Sequence, residues 1–428
     1  MRLHRLFLRN VRNHEASELL AADRVNLITG MNGRGKTSIL EAISLCTLTR
    51  SFVAANDSAL LRRGEEELVA RVDGISDYGA PRRIEVRYGA DGRKQIALDG
   101  STVSSAAKVI GSAPTVVLFP DLKAITGGPP LHRRRFLDLV LSQAKRRYLE
   151  DLMQYRRLLK QRNTYLSTVR RHGRGVSNDL LEAWDEGLID RGARIMHERT
   201  AFLKEFEPLL LKTAAEVALG VDEVGIAYEP DGVEVAQPSV NEYRDALWLR
   251  SKELRNAEVR RGTTLFGPHR DDFVMHVNGG DVRTSASQGQ HKTLLIGLKV
   301  AEFHYLSHQC AETPIILLDD IFGDLDVKRA ERVYDITREL AQVFVTVVSL
   351  DVLPFLRGRT LSRDDAHFTV EGGRITTREY GDRRLLSPVD PVLTVEEPQP
   401  STKEEETPSD TEVSVAVTGP QRNGIEAD

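Results

Sequence analysis

Eight residues near the N-terminus have the types and spacing of a phosphate-binding loop. The segment GMNGRGKT, residues 30–37, reads Gly-x-x-x-x-Gly-Lys-Thr and lies between an apolar strand, Val25–Thr29, and a helix that starts near Lys36. In this context the glycines let backbone N–H groups turn toward phosphate oxygens, and the helix N-terminus adds partial positive charge. Lys36 is expected to reach the β and γ phosphates of a nucleoside triphosphate, and the Thr37 hydroxyl to ligate Mg²⁺. The predicted ATP-binding residues of this loop are Gly30, Met31, Asn32, Gly33, Arg34, Gly35, Lys36 and Thr37.

Two adjacent carboxylates follow an apolar strand late in the chain. The segment IILLDD, residues 315–320, ends in Asp319 and Asp320 and continues into FGDLD. Phosphate-loop enzymes hold Mg²⁺ through an acid at the end of such a strand, so Asp319 is the predicted metal ligand beside Thr37. Asp320 is predicted to orient or deprotonate the attacking water. Asp320 and Lys36 are therefore the predicted catalytic residues, with ATP and Mg²⁺ as the cofactors.

A third polar motif, SASQGQHK at residues 285–292, precedes the apolar helix TLLIGLKVAEF. Ser287, Gly289 and Gln290 place a hydroxyl and free N–H groups at a helix start, which suits a phosphate. Because residues 30–37 already surround one nucleotide, a second such helix start is explained when it caps ATP held by another subunit. An ordinary helix N-cap is the alternative. Taken with the other motifs, the segment favours an ABC-type layout, in which two heads sandwich two ATP molecules.

The remaining pattern places these motifs in a split α/β domain. Residues 82–100 alternate apolar and polar side chains around an Asp-Gly turn, which predicts an antiparallel hairpin. Uninterrupted apolar strands at 115–119, 315–320 and 343–351 predict a buried parallel sheet. Helical spacing runs from His132 to about Thr168 and, after Gly173 and Gly175, from Leu181 to Leu209. These two helical segments predict an antiparallel helical hairpin inserted into the α/β domain.

We therefore predict an ABC-type phosphate-loop ATPase head with a mixed, largely parallel core sheet and an antiparallel β subdomain. The head is formed by residues 1–120 and 285–385. A mainly helical lobe with a short helical-hairpin arm occupies residues 121–284. Residues 386–428 are expected to be a disordered acidic tail, because they are rich in Pro, Glu, Ser and Thr and nearly free of aromatic residues. The tail is either a solubilising extension or a weak polyanion mimic.

Charge is unevenly distributed along the chain. The net charge is -4, yet residues 386–428 carry ten acidic side chains against two basic ones, so the preceding body is basic. Much of this excess lies in residues 133–162, which hold ten Lys or Arg against three acids. Such a stripe is either a solvated helical face or a surface for nucleic-acid phosphates.

Cysteine content and hydropathy indicate the expected cellular location of the protein. Cys46 and Cys310 have neither disulfide nor metal-ligand spacing, so both are expected to be core thiols. No apolar run approaches the ~20 residues of a membrane helix. The start, MRLHRLFLRNVRNH, is too polar for a signal peptide. A cytoplasmic protein without a membrane partner is expected.

Motifs spread along residues 1–385 resemble those of the RecF family, whose ATPase head is similar to the heads of SMC proteins and Rad50. The motifs are LRNVRNH near the start, GMNGRGKT, RSF at 50–52, VVLFPDL at 116–122, GGPPLHRRRFLD at 127–138, FGPHRDDF at 266–273, SQGQ at 287–290 and LLDDIFGDLD at 317–326. HRRRFLD and GPHRDD are specific to this family rather than to ABC ATPases in general. The acidic tail lies outside the resemblance.

The resemblance implies a role in DNA repair, replication and recombination, including the SOS response to DNA damage. It implies an ATP-dependent homodimer that clamps DNA at gaps and at junctions between single and double strands. With RecO- and RecR-type mediators, such a protein helps to load the recombinase RecA. Hydrolysis in this family is slow and resets the clamp, so a weak DNA-dependent ATPase activity is expected to act as a switch.

The resemblance also favours the nucleic-acid interpretation of the basic stripe. The candidate DNA-binding residues are Arg133, Arg134, Arg135, Lys145, Arg146 and Arg147. His269, Arg270, Asp271 and Asp272 are expected to brace the helical lobe against the head, with a catalytic role as the alternative.

Three rival classes fit less well. The loop FPDLKAITGG lacks the glutamine that transporter ATPases place after the corresponding strand, and Thr346 and Ser349 stand near the position of their histidine. These departures argue against a transporter and leave the γ-phosphate sensor unassigned. A short SMC- or Rad50-like DNA-organising ATPase is the main alternative, but it needs a far longer coiled coil. A small-molecule kinase would not need the SQGQ motif.

Overall fold

Within the residues that the structure describes, strands predominate toward both ends and helices predominate in the middle. The computed structural model describes residues 1–172, 177–218, 223–356 and 362–381. Its strands are β1 (Arg2–Val11), β2 (His14–Leu20), β3 (Val25–Thr29), β4 (Glu67–Ile75), β5 (Pro81–Gly89), β6 (Lys94–Leu98), β7 (Ser101–Thr102), β8 (Thr115–Leu118), β9 (Val224–Glu229), β10 (Asp272–Val277), β11 (Gly280–Asp281), β12 (Ile315–Asp319), β13 (Val343–Val347), β14 (Ala366–Glu371) and β15 (Arg374–Tyr380). Its helices are α1 (Lys36–Thr47), α2 (Lys123–Gly127), α3 (Pro130–Ala144), α4 (Arg146–His172), α5 (Asn178–Ala218), α6 (Val240–Arg261), α7 (Val282–Ser285), α8 (Gln288–Gln309) and α9 (Val327–Leu340).

The central sheet has the strand order β15-β14-β3-β13-β12-β8. Strands β14, β3, β13, β12 and β8 are parallel, and β15 pairs antiparallel with β14. Alternate residues of β12 face opposite sides, with Ile315 and Leu317 in one core and Ile316 and Leu318 in the other. Because both faces are covered, the strands are uniformly apolar. The prediction of a mixed, largely parallel core sheet is confirmed.

An antiparallel sheet, in the order β2-β1-β4-β5-β6-β7, covers one side of the head. Its β5–β6 pair is the hairpin predicted for residues 82–100. Helix α1 packs between the two sheets and contributes Ile39, Ile43 and Cys46 to their shared core. Cys46 is fully buried as predicted, whereas Cys310 keeps partial access to solvent.

Helices α4 and α5 form the predicted antiparallel pair. Arg194 of α5 lies beside Asp151 near the start of α4, whereas Asp185 of α5 bonds to Arg162 near its end. The predicted loop with Gly173 and Gly175 lies outside the described residues. The prediction of one continuous helix from His132 is wrong, because Lys145 has extended φ and ψ angles of -132° and 104° and separates α3 from α4.

The helical lobe also contains a small antiparallel sheet, β11-β10-β9, which the sequence pattern did not indicate. Its strand β10 packs against α3, and β9 packs against α5. By their contacts, residues Met1–Leu386 form one compact unit. The boundaries predicted near residues 120 and 285 therefore stay a prediction, and the tail predicted at 386–428 lies outside the described residues. In the described part of the chain, no helix combines the length and apolar character needed to cross a membrane.

Candidate nucleotide-binding site

The loop of residues 30–37 connects β3 to α1, as the sequence predicted. Gly35 has a φ of 113°, a left-handed conformation that side chains rarely adopt. A Cβ atom at Gly35 would lie 2.6 Å from Nε2 of His14, and one at Gly30 would lie 2.3 Å from the carbonyl oxygen of Val370. The loop therefore needs glycine at both positions, because neighbouring strands approach it closely.

Lys36 bends back over this loop. Its ammonium group donates hydrogen bonds to the carbonyl oxygens of Gly30, at 2.6 Å, and Met31, at 3.3 Å. Burial lowers the pKa of Lys36, while Asp320 and Asp319 raise it. The charge is thus held where phosphate oxygens would meet it, within reach of both predicted acidic residues.

Thr37 and Asp319 meet, although 282 positions separate them in the chain. The Thr37 hydroxyl lies 2.9 Å from Oδ1 and 3.1 Å from Oδ2 of Asp319. Thr346 of β13 also donates to Oδ1 of Asp319, at 2.7 Å. Burial raises the pKa of the Asp319 carboxyl, and its bonds to Thr346 and Thr37 lower it, with a net increase. The two predicted Mg²⁺ ligands are therefore neighbours, and Thr346 orients the carboxylate.

This pair of oxygen donors fits a magnesium ion. Mg²⁺ prefers hard oxygen ligands and commonly takes only one or two from the protein, the rest coming from phosphates and water. Thr37 and Asp319 supply a hydroxyl and a carboxylate of this kind. Within the described ranges no group of three or more His, Cys, Asp or Glu residues could hold a metal ion.

Asp320 follows Asp319 at the end of β12 and faces the cavity that Lys36 lines. Its φ of 50° is unusual for a residue with a side chain, and its N–H donates to Oγ1 of Thr346 at 3.0 Å. This turn separates the two carboxylates, so that Asp319 faces Thr37 while Asp320 lines a cavity of about 670 Å³ with Lys36. Burial raises the pKa of Asp320, Lys36 lowers it and Asp324 raises it, with a net increase.

The wall of this cavity includes Arg12, Asn13 and Glu41, which the sequence analysis did not select. Arg12 forms a bidentate ion pair with Glu41, with Nε–Oε2 at 3.1 Å and Nη2–Oε1 at 2.9 Å. Ser51 donates to the same carboxylate at 2.7 Å. In the sequence, LRNVRNH supported only the family resemblance. Its adjacent polar residues Arg12 and Asn13, at the turn between two strands, were the signal that could have identified this part of the cavity wall.

The β1–β2 turn supports the loop from outside. Nε2 of His14 lies 3.0 Å from the carbonyl oxygen of Gly35, and a carbonyl only accepts, so this nitrogen carries the proton. Burial lowers the pKa of His14. On the other side, the N–H of Gly373 donates to the carbonyl oxygen of Arg34 at 2.9 Å. The loop is thus held between two hairpin turns.

Ser287, Gly289 and Gln290 lie at the start of α8 and do not line the cavity beside Lys36. Ser287 is the N-cap and forms a capping box, in which its hydroxyl accepts from the Gln290 N–H and the Gln290 side chain accepts from the Ser287 N–H. The alternative role, an ordinary helix N-cap, is therefore fulfilled by contacts within one chain. A role for these residues in ATP binding requires a second copy of the chain, as the prediction states.

The segment His269 to Asp272 bonds to two helices of the same lobe. Asp272 forms a bidentate pair with Arg133 at 2.7 and 2.8 Å, and Nδ1 of His269 lies 2.6 Å from the Tyr155 hydroxyl. Burial lowers the pKa of His269 to about 4. Because α3 and α4 belong to the predicted lobe, as the segment itself does, these bonds hold the lobe together internally, and bracing of the lobe against the head stays a prediction.

The six candidate DNA-binding residues differ in their exposure and in their bonding partners. The prediction for Arg133 is wrong, because its side chain is 1% exposed and fully bonded to Asp272 and to two backbone carbonyls. Arg134 donates to the carbonyl oxygen of Asp271, and Lys145 pairs with Glu198 at 2.7 Å. Arg135, Arg146 and Arg147 are exposed. Of the six candidates, these three are therefore the ones whose guanidinium groups are open to solvent or are paired at the surface alone.

Comparison with known proteins agrees with this architecture. The family model described as "RecF/RecN/SMC N terminal domain" matches residues 2–357. The DNA replication and repair protein RecF of Chlorobium luteolum is 36% identical over 374 residues, covering 84% of this chain and 100% of the relative. RecF of Symbiobacterium thermophilum is 34% identical over 382 residues, covering 89% of this chain and 100% of the relative.

Solved structures give the same result. A structure of the recombination mediator protein RecF with ATP in the RecFOR pathway has a TM-score of 0.79 and 31% identity, covering 88% of this chain and 97% of that one. An Smc head bound to the C-winged helix domain of ScpA shares the fold alone, with a TM-score of 0.51 and 13% identity over 89% of this chain and 98% of that one. The predicted ABC- and SMC-type head with its inserted lobe is thus confirmed, and the chain belongs to the RecF family.

Proposed function

We propose that this chain is an ATP-dependent DNA-binding protein of recombinational repair and replication. It binds ATP at residues 30–37, dimerises on DNA at gaps and strand junctions, and helps to load a recombinase. Slow hydrolysis of ATP opens the dimer again. The observation that carries the proposal is the contact of Thr37 with Asp319 beside Lys36 and Asp320.

The chain's own residues divide the work at the nucleotide. Lys36 exchanges its bonds to Gly30 and Met31 for the β and γ phosphates, because a charge-assisted bond to phosphate is stronger than one to a carbonyl. Thr37 and Asp319 hold Mg²⁺, which neutralises phosphate charge when bound. Asp320 receives the proton of the attacking water or orients that water. Its raised pKa makes it a stronger base than an ordinary aspartate.

The second half of the site comes from a partner copy. Ser287, Gly289 and Gln290 present a hydroxyl and the N-terminus of α8 to ATP bound by the other protomer. Each nucleotide then joins two heads, and dimerisation follows the presence of ATP. Hydrolysis removes the shared γ phosphate, so the dimer loses this connection.

The biological setting is supported by the relatives. Relatives from several bacteria are named DNA replication and repair protein RecF, and a similar solved structure is that of the recombination mediator protein RecF in the RecFOR pathway. By extension, mediators of the RecR and RecO type are the proposed protein partners. The proposed location is the cytoplasm.

The proposal is tested by measuring ATP hydrolysis with and without a gapped DNA duplex. We expect slow hydrolysis that DNA accelerates several-fold, and we expect Asp320→Asn to remove the activity in both conditions. Brisk hydrolysis that is indifferent to DNA would contradict the switch function. Activity retained by Asp320→Asn would show that another residue acts on the water.

A further inference from the structure

Thr346 of β13 lies directly beside the end of β12. The two strands are parallel, and their register places Thr346 opposite Asp319. Because facing residues of neighbouring strands share one face of the sheet, the Thr346 side chain reaches Asp319 without crossing the backbone. The side chain is fully buried, and branching at its Cβ atom restricts the direction of the hydroxyl group. The strand pairing therefore fixes a hydroxyl group next to the predicted metal ligand.

This one hydroxyl group bonds to both acidic residues. It donates to Oδ1 of Asp319 at 2.7 Å and accepts from the N–H of Asp320 at 3.0 Å. The carbonyl oxygen of Thr346 accepts from the same N–H at 3.2 Å. A hydroxyl group has a single hydrogen, so this buried one has no donor left for a phosphate. Thr346 stands near the position of the transporter histidine, but its bonds exclude it as the contact to the γ phosphate.

The bonds of Thr346 act differently on the two acidic residues. The Asp319 carboxylate is held at Oδ1 by Thr346 and, at 2.9 Å, by Thr37. Asp320 is held only through its backbone, at a φ of 50°, a conformation that persists where surrounding bonds maintain it. In the part of the chain that the structure describes, the Asp320 carboxylate accepts no hydrogen bond. It is therefore available to a water molecule in the cavity that it lines.

From these contacts we infer that Thr346 is a positioning residue that gives the two adjacent carboxylates different tasks. By bonding to the Asp319 carboxylate, it holds the metal ligand beside Thr37. By bonding to the N–H of Asp320, it maintains the turn that directs the next carboxylate into the cavity. The inference rests on the proposed function, and it adds a residue that contacts neither the nucleotide nor the metal ion.

The first test is the Mg²⁺ dependence of nucleotide binding. Thr346→Val keeps the shape of the side chain and removes its hydroxyl group. The Mg²⁺ concentration that half-maximally tightens binding of a fluorescent ATP analogue should rise about 10- to 100-fold, as is typical when a metal-ligating carboxylate loses its supporting bond. Affinity in EDTA should stay at the wild-type value, because Lys36 bonds to the loop and not to Thr346. Thr346→Ser keeps the hydroxyl group and should restore the wild-type dependence.

The matched control is Thr115→Val. Thr115 is a fully buried threonine on β8, a parallel strand of the same sheet, and its hydroxyl group donates to the carbonyl oxygen of Ala113 at 3.0 Å. The control makes the same chemical change away from the acidic residues, so its Mg²⁺ dependence should equal that of the wild type. Circular dichroism verifies folding. If Thr346→Val does not fold, Thr346→Ala removes the same hydroxyl group with a smaller side chain.

The second readout is single-turnover hydrolysis at saturating Mg²⁺ and ATP. The rate should fall at least about tenfold in Thr346→Val, because the turn at Asp320 loses one of its bonds, and it should recover in Thr346→Ser. Saturating Mg²⁺ separates this effect from the weakened metal site.

The outcomes separate this inference from the proposed function. A shifted Mg²⁺ dependence that appears in Thr346→Val, and in neither Thr346→Ser nor Thr115→Val, supports the inference. Wild-type Mg²⁺ dependence and turnover in Thr346→Val overturn it and leave the proposed function standing. An equal shift in Thr115→Val also overturns it, since a general loss of packing then explains the effect. Wild-type protein whose ATP binding gains nothing from Mg²⁺ overturns both.

Discussion

At the residue scale, the charges of Lys36, Asp319 and Asp320 act on one another where the phosphate-binding loop meets the end of β12. Asp320 and Asp319 raise the pKa of Lys36, which burial lowers, and Lys36 in turn lowers the pKa of Asp320. Phosphate and Mg²⁺ would replace these mutual charge interactions with interactions with the nucleotide. Each of the three side chains can therefore be tested by its own substitution.

Replacing Lys36 should weaken ATP binding. Lys36→Ala removes a cation whose bonds to charged groups are each worth about 1.5–3 kcal/mol, so the dissociation constant should rise at least about tenfold. Titration with a fluorescent ATP analogue gives the value. Lys252→Ala is the control, since Lys252 is exposed on α6 away from the cavity. Equal affinity in both variants would remove Lys36 from the proposed role.

Replacing Asp320 should separate binding from turnover. Asp320→Asn keeps the size of the side chain but not its basicity, so ATP binding should persist while hydrolysis falls by about 100-fold or more. Single-turnover hydrolysis with bound ATP measures this directly. Turnover at the wild-type rate would exclude Asp320 as the residue that acts on water.

Hydrolysis should also depend on pH. A carboxylate acts as a base only when ionised, and burial raises the pKa of Asp320 above its ordinary 3.8. The rate should therefore decline as pH falls, and the decline should begin at a higher pH than for an ordinary aspartate. A rate that stays flat down to the ordinary aspartate range would contradict this account.

At the element scale, buried ion pairs join the helices of the lobe. Arg162 of α4 is fully buried and pairs with Asp185 of α5 and Glu258 of α6, at 2.8 and 2.7 Å. Glu258 also accepts from the N–H of Leu265, at 2.8 Å. These bonds fix how the arm helices meet, because removing one partner leaves a buried charge.

The stability of the lobe should therefore depend on Arg162. Arg162→Met leaves the buried carboxylate of Glu258 without its cation and leaves Asp185 with Arg255 alone, and breaking such a buried pair costs about 3–5 kcal/mol. Arg157→Met is the matched control, because it makes the same change on an exposed position of the same helix and should cost less than about 1 kcal/mol. Urea unfolding followed by circular dichroism compares the two. Similar unfolding midpoints would contradict the structural role of the pair.

The sequence predicted those features that depend on local spacing. The loop between β3 and α1, the β5–β6 hairpin and the helix start at Ser287 all follow from short patterns. The separation of α3 from α4 was not predictable, since Lys145 is neither glycine nor proline and its extended backbone is set by tertiary packing. Arg133 was misassigned because its partner Asp272 is 139 positions away in the chain.

The pairing of side chains in the cavity wall could not be predicted from the sequence for the same reason. Glu41 lies on the helix α1, where its spacing is that of an ordinary polar residue. Its pairing with Arg12 depends on how the β1–β2 turn crosses the start of the helix. A charge that is buried by contacts distant in sequence leaves no local pattern, so its role is evident only from the fold.

At the scale of the whole molecule, the proposed function requires two copies of the chain. Ser287→Arg places a bulky cation at the start of α8, so ATP-induced dimerisation should be lost while each monomer still binds ATP. Light scattering after size-exclusion chromatography, with and without ATP, measures the oligomeric state. Ser101→Arg, on the exposed strand β7, is the control. An unchanged dimer in Ser287→Arg would contradict capping by the partner.

The most direct test of the account is the affinity for a labelled gapped duplex, measured by fluorescence anisotropy with ATP, with ADP, and with Ser287→Arg in ATP. ATP should tighten binding relative to ADP, and Ser287→Arg should lose that gain, since binding depends on closure of two heads. Weak binding that is indifferent to the nucleotide would contradict an ATP-gated DNA clamp.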